Sequence, residues 1–355
     1  MGKAMERIIG MRLLIVTQVV DQDDPVLGFF TAWIEELAKK TEQVEIICLK
    51  MGQADVPKNA RLYSLGKPYS AEATKSTGTR IRYAVRFLKL VWRLRHDYDA
   101  VFVHMNQEYV LLAGWLWRLL GKRIYLWRNH YAGSWLTDVA AAFCTCVFCT
   151  SKHSYTAKYK KTIRMPVGVD TERFKPDERV KRISHSILFL ARMSPSKRPD
   201  MLLDALTQLA RDGIKFTANF VGSPLPSDES YYEGLVGRAG TLGFDGKVTF
   251  LPAVTKESAP RIFCSHEIFV NTSPSGMLDK TIFEAAACGC TVLASSDDFA
   301  LLAGSESHFN SITELAERLS KALANSSGRS LSAVATENSL TRLAEKLVGV
   351  IIGKR

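Results

Sequence analysis

Residues 267–295 read EIFVNTSPSGMLDKTIFEAAACGCTVLAS, and this stretch decides the fold. The apolar run EIFVN (267–271) predicts a strand, and a loop of small, turn-forming residues follows it. Residues 279–288 predict a helix, Cys288-Gly289-Cys290 stops it, and TVLAS (291–295) predicts the next strand. Strand, helix and strand in succession read as one parallel crossover unit. The same alternation extends in both directions. On this side of the chain it includes strands at SILFLA (186–191), FTANFVG (216–222) and KVTFLP (247–252), with helices expected over 198–211, 229–242 and 256–263. The amphipathic stretches 311–324 and 339–352 close it.

Towards the N-terminus, strands are expected at LLIVT (13–17), VEIICL (44–49), RLYSL (61–65), AVFVH (100–104), RIYLW (123–127) and CVFCTS (146–151). Helical patterns cover 28–40, 79–95, 107–120 and 152–161. Apolar runs of this length separated by helices indicate parallel sheets covered on both faces. MPVGVDTERFKPD (165–177), with two prolines, a glycine and several charges, reads as a linker between two such series. The expected fold is therefore α/β, two Rossmann-like doubly wound domains in tandem. Ligands in such a pair bind at the carboxyl ends of strands, facing an interdomain cleft. The boundaries read as 1–167, a linker at 168–178, a second domain at 179–335, and a terminal helix at 336–355.

A chain of 355 residues suits two domains. With 46% hydrophobic and 23% charged residues it reads as folded rather than disordered. The formal charge of +11 favours anionic partners. No apolar run approaches the ~18 residues of a spanning helix. The basic, then apolar start MGKAMERIIGMRLLIV runs straight into a strand pattern without a convincing cleavage site, so a cytoplasmic protein is expected. Seven cysteines in apolar settings read as reduced structural thiols. Within CTCVFC (144–149), Cys144 and Cys146 are expected on one strand face. No second Cys or His pair completes a tetrahedral metal site, and no metal is expected.

Two segments carry candidate chemistry. In ARMSPSKRPDMLLDAL (191–206), Arg192 and Lys197 leave a strand just before a helix. A planar fork and a mobile ammonium there can clamp a diphosphate, or they are two solvated loop charges. In the opening stretch, Gly276 permits close backbone approach and the helix start offers N–H groups to an anion. Glu284 is an acceptor suited to the paired hydroxyls of a ribose. The alternative is an ordinary helix with a locally paired Glu, awkward beside Ala285, Ala286 and Ala287.

In this order and spacing the segments resemble the retaining nucleotide-sugar glycosyltransferases of family 4, which have the GT-B fold. MPVGVDTERFKP resembles the family's asparagine-glycine-valine-aspartate linker, with Val167 where asparagine is usual. ARMSPSKRPDMLLDAL resembles its Gly-Arg…Lys-Gly phosphate segment, with Ala191 and Arg198 in the glycine places. FVGSP (220–224), containing Gly222, resembles the next strand-to-glycine turn, and VTFLPAV (248–254), ending at Val254, the loop that contacts the base. SGMLDKTIFEAAACGCTVLAS resembles the signature of a glutamate, seven residues, then a glutamate-alanine helix.

The resemblance implies that Glu284 binds the nucleotide ribose. The first glutamate of the signature falls on Gly276, and Met277, Leu278 and Asp279 replace the usual glycine-phenylalanine-glycine. It further implies that the amides of 277–281, through Thr281, cradle a nucleoside-diphosphate sugar, with Asp279 or Lys280 making side-chain contacts. His130, after RIYLW, falls where the family places a histidine near the donor sugar. Gly28, in DDPVLGFF (23–30), keeps one glycine of a frequent Gly-Gly loop and is expected to open the helix there and to bind the donor's phosphates. His104, Asn106 and Glu108 are expected on the acceptor side.

The implied reaction transfers a sugar with retention, the leaving diphosphate helping to deprotonate the acceptor while Arg192 and Lys197 stabilise it. A glycan, lipid-linked or membrane-proximal acceptor is expected, with a place in cell-surface polysaccharide or glycolipid synthesis. The terminal helix is expected to return to the first domain.

Arg82, Arg86, Lys89 and Arg93 form one stripe of a helix, with Ile81, Ala84, Val85, Leu88, Val91 and Trp92 mostly opposite. The stripe is a solvated face or a docking surface for anionic membrane, making the protein peripheral on the inner leaflet. Two rival classes remain: a nucleic-acid binder, against which no recognition module is found and no nucleic acid is expected, and a non-catalytic GT-B-like protein binding anionic lipid or nucleic acid.

Overall fold

The computed structural model describes residues 10–24, 26–69, 77–244, 247–276, 278–325 and 331–353. The chain divides into two compact units, one comprising the residues up to Gly168 together with those from Leu340 onward, the other Val169–Ser339.

The first unit contains strands β1 (Arg12–Val20), β2 (Gln43–Met51), β3 (Ala60–Ser64), β4 (Ala100–His104), β5 (Arg123–Trp127), β6 (Cys146–Cys149) and β7 (Thr162–Arg164). They pair in parallel in the order β3-β2-β1-β4-β5-β6-β7. Its helices are α1 (Phe30–Ala38), α2 (Thr77–Arg93), α3 (Gln107–Leu119) and α4 (Trp135–Phe143). The two-residue alternation of β1 explains why both faces are covered. Leu13 and Ile15 join a core with Phe30 and Trp33 of α1, whereas Leu14 and Val16 join a second core with Phe87 of α2 and Trp117 of α3.

The second unit contains β8 (Ser186–Leu190), β9 (Thr217–Val221), β10 (Val248–Leu251), β11 (Ile268–Asn271) and β12 (Thr291–Ala294), in the parallel order β10-β9-β8-β11-β12. Around it run α5 (Pro199–Arg211), α6 (Glu229–Thr241), α7 (Ala259–Cys264), α8 (Lys280–Ala287), α9 (Asp297–Ala303), α10 (Ile312–Ala324) and α11 (Ser332–Glu337). The last helix, α12 (Leu340–Ile352), packs on the first unit. There Tyr125 Oη donates to the Ile351 carbonyl at 3.3 Å and Lys346 Nζ to the Arg164 carbonyl at 2.8 Å.

Several expectations change. The helix expected over 152–161 is a single 3-10 turn, Tyr155–Lys158, followed by β7. The Tyr155 amide donates to the His130 carbonyl and Thr156 Oγ1 to the Arg128 carbonyl, tying the segment to the end of β5. Cys144 is not on a strand. It caps α4, a helix opened by a Ser134–Thr137 capping box. All seven cysteines are buried. Burial pushes the thiols of Cys48, Cys144 and Cys290 up to about 12 and that of Cys146 up to about 11. On α2 the buried face is Tyr83, Phe87, Leu90 and Val91, so Ile81, Val85 and Trp92 lie exposed rather than in the core.

Candidate functional site

In the second sheet, strand order reverses between β8 and β11, the place where open α/β sheets hold their ligands. The candidate site is built there. After β8, residues Pro195–Lys197 form a 3-10 turn, and Arg198 follows with φ 48° and ψ 50° in the left-handed region. Glycine adopts that conformation without strain, which accounts for the position's glycine character in the motif it resembles. Here the arginine side chain offsets the strain. Its Nε donates to the Thr272 carbonyl at 2.7 Å and its Nη2 to Ser295 Oγ at 2.8 Å. Thr272 Oγ1 in turn donates to the carbonyls of Lys197 and Arg198. The two loops are thereby latched together.

Lys197 then reaches across the crevice. Its Nζ donates to both carboxylate oxygens of Asp279, at 2.8 and 2.6 Å, and lies 3.2 Å from Ser273 Oγ. Asp279 also accepts from Ser273 Oγ at 2.5 Å and Asn271 Nδ2 at 3.1 Å. Asp279 occupies the N-cap position of α8, yet its carboxylate does not cap the helix. It is committed to Lys197. Arg192 differs from Lys197: it is exposed and makes no hydrogen bond or ion pair among the described residues. The two cations are therefore not an equivalent pair.

One turn into α8, Lys280 and Glu284 stand four residues apart on one side of the helix. Burial disfavours both charges, lowering Lys280 and raising Glu284, while the charge of each partner works against that shift. Lys256, also lowered by burial and by Arg173, is drawn back by Asp170, Glu257 and Glu284. Glu284 thus sits between the cations Lys280 and Lys256 and the carboxylates Asp170 and Asp279.

The loop before α8 explains the missing glutamate. Gly276 has φ 95°, a conformation unfavourable for a glutamate. Its amide donates to Asp298 Oδ2 at 3.4 Å, and Ser275 Oγ donates to Asp297 Oδ2 at 3.0 Å, so the start of α9 holds the loop. The Leu278 side chain is buried. Thr281 is half-buried in the first turn of α8, and Met277 lies outside the described residues. At the end of β9, a Cβ on Gly222 would lie 1.9 Å from the Ala191 carbonyl oxygen, so the close approach of the β8 and β9 exits requires glycine. Val254 is half-buried in the next loop, beside Ala253, whose amide donates to Ser223 Oγ at 3.1 Å.

The remaining candidates belong to the first unit. His130 lines a cavity of about 500 Å³ with Asn106, Glu108, Arg128 and Ser134. Its Nδ1 accepts the Ala132 amide at 2.9 Å, and its ring stacks on Tyr131. His104 is a correction: it is buried, 3.9 Å from the ring of Phe30 in a stacked pair, with Nδ1 3.2 Å from Thr17 Oγ1. It lines the core, not an acceptor surface. Gly28 does not open a helix. α1 begins at Phe30, the Gly28 amide donates to the Asp24 carbonyl at 2.9 Å, and a Cβ would meet the Gln22 carbonyl oxygen at 2.6 Å. Sequence reasoning missed Asn271, Ser273 and Lys256. The small residues of NTSPSG hinted at the first two; nothing local marked Lys256.

Residues 184–325 match the family described as Glycosyl transferases group 1. A D-inositol 3-phosphate glycosyltransferase of Mycobacterium leprae (strain Br4923) is 31% identical over 137 residues, which are 36% of this chain and 31% of that protein. The chain thus spans about a third of the length of the curated relatives it matches. Among solved structures, Anabaena Alr3699/HepE in complex with UDP and glucose is similar at a TM-score of 0.70 and 16% identity, over 97% of this chain and 100% of that one. Sucrose-phosphate synthase from Thermosynechococcus elongatus is similar at a TM-score of 0.73 and 16% identity, over 97% and 98%. Two parallel Rossmann-like units and these likenesses make the fold GT-B, with the group 1 match falling on the unit that carries the Lys197–Asp279 crevice.

Proposed function

We propose that the protein is a retaining glycosyltransferase of the family 4 type, and that its second unit binds a nucleoside-diphosphate sugar. The observation that carries this reading is the crevice itself. Within the segment matching Glycosyl transferases group 1, the Lys197–Asp279 pair joins the loop after β8 to the uncapped start of α8, with Glu284 one turn further along that helix and Arg192 exposed just after β8. Phosphate oxygens find cations and first-turn amides there, and Glu284 suits a ribose diol. Solved neighbours hold UDP or UDP-glucose, which favours a uridine donor as the first probe.

In this reading Lys197 and Arg192 stabilise charge developing on the departing diphosphate, and Asp279 is a positioning residue that holds Lys197 on target. The leaving diphosphate takes the acceptor's proton as the new bond forms on the same face of the sugar. His130 and its cavity serve the first unit's side of the reaction. No metal or cofactor is assigned a part. A cytoplasmic protein resting on the inner leaflet through Arg82, Arg86, Lys89 and Arg93 fits the mixed basic and apolar exposed face of α2; failure to bind anionic vesicles at low salt removes that element alone. A role in polysaccharide or glycolipid synthesis follows only if such an acceptor is found.

The test is thermal stabilisation by nucleoside diphosphates and nucleotide sugars, beside Arg192→Ala and Glu284→Ala. A ligand at about a hundred times its dissociation constant adds about 2.7 kcal/mol. Stabilisation by one nucleotide, lost in both variants, is expected. No response to any nucleotide overturns the reading.

A further inference from the structure

We propose that the first unit holds a binding site for an amphiphilic phosphate, an apolar chain ending in a phosphate group, and that this is how it takes its acceptor. As an acceptor site it rests on the transferase reading; as a binding site it stands on its own geometry. A cavity of about 600 Å³ opens between α2 and α3, at the carboxyl ends of β1, β2 and β4. It lies at the reversal of strand order between β1 and β4, where the two neighbouring loops part.

The lining divides by chemistry. Leu49 and Leu112, backed by the buried Leu65 and Phe87, supply an apolar wall, while Lys67 and Arg80 bring two cations and Glu108 one carboxylate to the same cavity. On the wall Tyr83 is about nine-tenths buried, and its hydroxyl has no hydrogen-bond partner among the described residues. A buried hydroxyl left unpaired is unfavourable, and an oxygen-bearing ligand against that wall can satisfy it after a small side-chain movement. A purely polar sugar would leave Leu49 and Leu112 against hydroxyls, and a purely apolar ligand would leave Lys67 and Arg80 unused. An apolar chain with an anionic end uses both.

The cavity also adjoins the one lined by His130. Asn106 and Glu108 line both, so a ligand seated by its apolar chain beside α2 places the group beyond its phosphate among Asn106, Glu108 and His130. Those are hydrogen-bonding side chains suited to hydroxyls. The exposed Ile81, Val85 and Trp92 lie on α2, the helix that forms one wall, so a chain entering from an apolar surface meets apolar side chains on the way.

The experiment titrates the full chain with octyl phosphate below its micelle concentration, and separately with inorganic phosphate and with octanol, by calorimetry. Octyl phosphate is expected to bind one to one and at least about tenfold tighter than either fragment probe. Ala84→Trp, which fills the cavity from α2, is expected to abolish that binding, and Arg80→Ala, an exposed position, to weaken it at least about threefold. Octyl phosphate binding no tighter than octanol or phosphate overturns the proposal, as does unchanged binding in both variants. If Ala84→Trp fails to fold, Arg80→Ala decides. UDP titrated into the same proteins keeps the two readings apart. UDP binding without octyl phosphate binding removes the amphiphile site and leaves the transferase; the reverse leaves the site and removes the transferase.

Discussion

Replacing Asp279 by alanine isolates the contact on which the crevice depends. The carboxylate receives Lys197 at 2.6 and 2.8 Å, and the two side chains are 19% and 20% exposed. Removing one partner of a fully buried ion pair costs about 3–5 kcal/mol, whereas a fully exposed pair is worth about 0–1 kcal/mol. With a fifth of each side chain open to water, about 2–3 kcal/mol is expected. With a urea dependence of about 2 kcal/mol per molar for a unit of this size, the midpoint should fall by about 1 M.

The chain supplies its own control. All six tryptophans (Trp33, Trp92, Trp115, Trp117, Trp127 and Trp135) lie in the first unit, so their fluorescence follows that unit, while far-ultraviolet circular dichroism follows both. Asp279→Ala should move the dichroism transition and leave the fluorescence transition in place. Lys197→Met with Asp279→Ala removes both charges and should recover at least about 1.5 kcal/mol of the loss, the signature of a direct pair. A dichroism shift below about 0.3 M, an equal shift in fluorescence, or a double variant no better than the single one refutes the reasoning.

Gly222→Ala should destabilise the second unit by about 3 kcal/mol or more and abolish nucleotide binding, because its Cβ falls 1.9 Å from the Ala191 carbonyl oxygen; a dichroism midpoint within error of wild type contradicts this. Lys280→Met removes the cation that most opposes the burial-driven rise of Glu284. If Glu284 holds a ribose as a carboxylate, affinity is present above its pKa and lost as pH falls through it, so the acid limb should move to higher pH by about one unit. Calorimetric dissociation constants for a nucleoside diphosphate from pH 5 to 9 read the limb directly, and an unmoved limb excludes the coupling. The native protein at pH 8 should release less than one equivalent of thiol colour with a disulfide reagent, and seven in denaturant, since all seven cysteines are buried; rapid reaction of two or more native thiols counts against it.

Local pattern determined the parallel α/β architecture. Runs such as SILFL and IFVN are too short and too apolar to be anything but strands covered on both faces, and the helical stretches between them force parallel crossovers. The places where local pattern failed were those settled by distant partners. The helix expected over 152–161 gave way to a turn because Tyr155 and Thr156 are tied to the end of β5, and Thr162–Arg164 then pairs with the open edge of β6. Ile81, Val85 and Trp92 became exposed because the sheet is covered by a different arc of α2.

The candidate site shows the same division. That Arg192 and Lys197 follow a strand and that Glu284 lies in the helix behind the next strand exit was legible, because strand exits and helix starts are local events with local residue signatures. That Lys197 belongs to Asp279, 82 residues away, was not. Nor was the turning of an N-cap aspartate away from its own helix. Local sequence records what a side chain can donate or accept; only the closure of β8 beside β11 brings the two loops within 3 Å and decides which donor meets which acceptor.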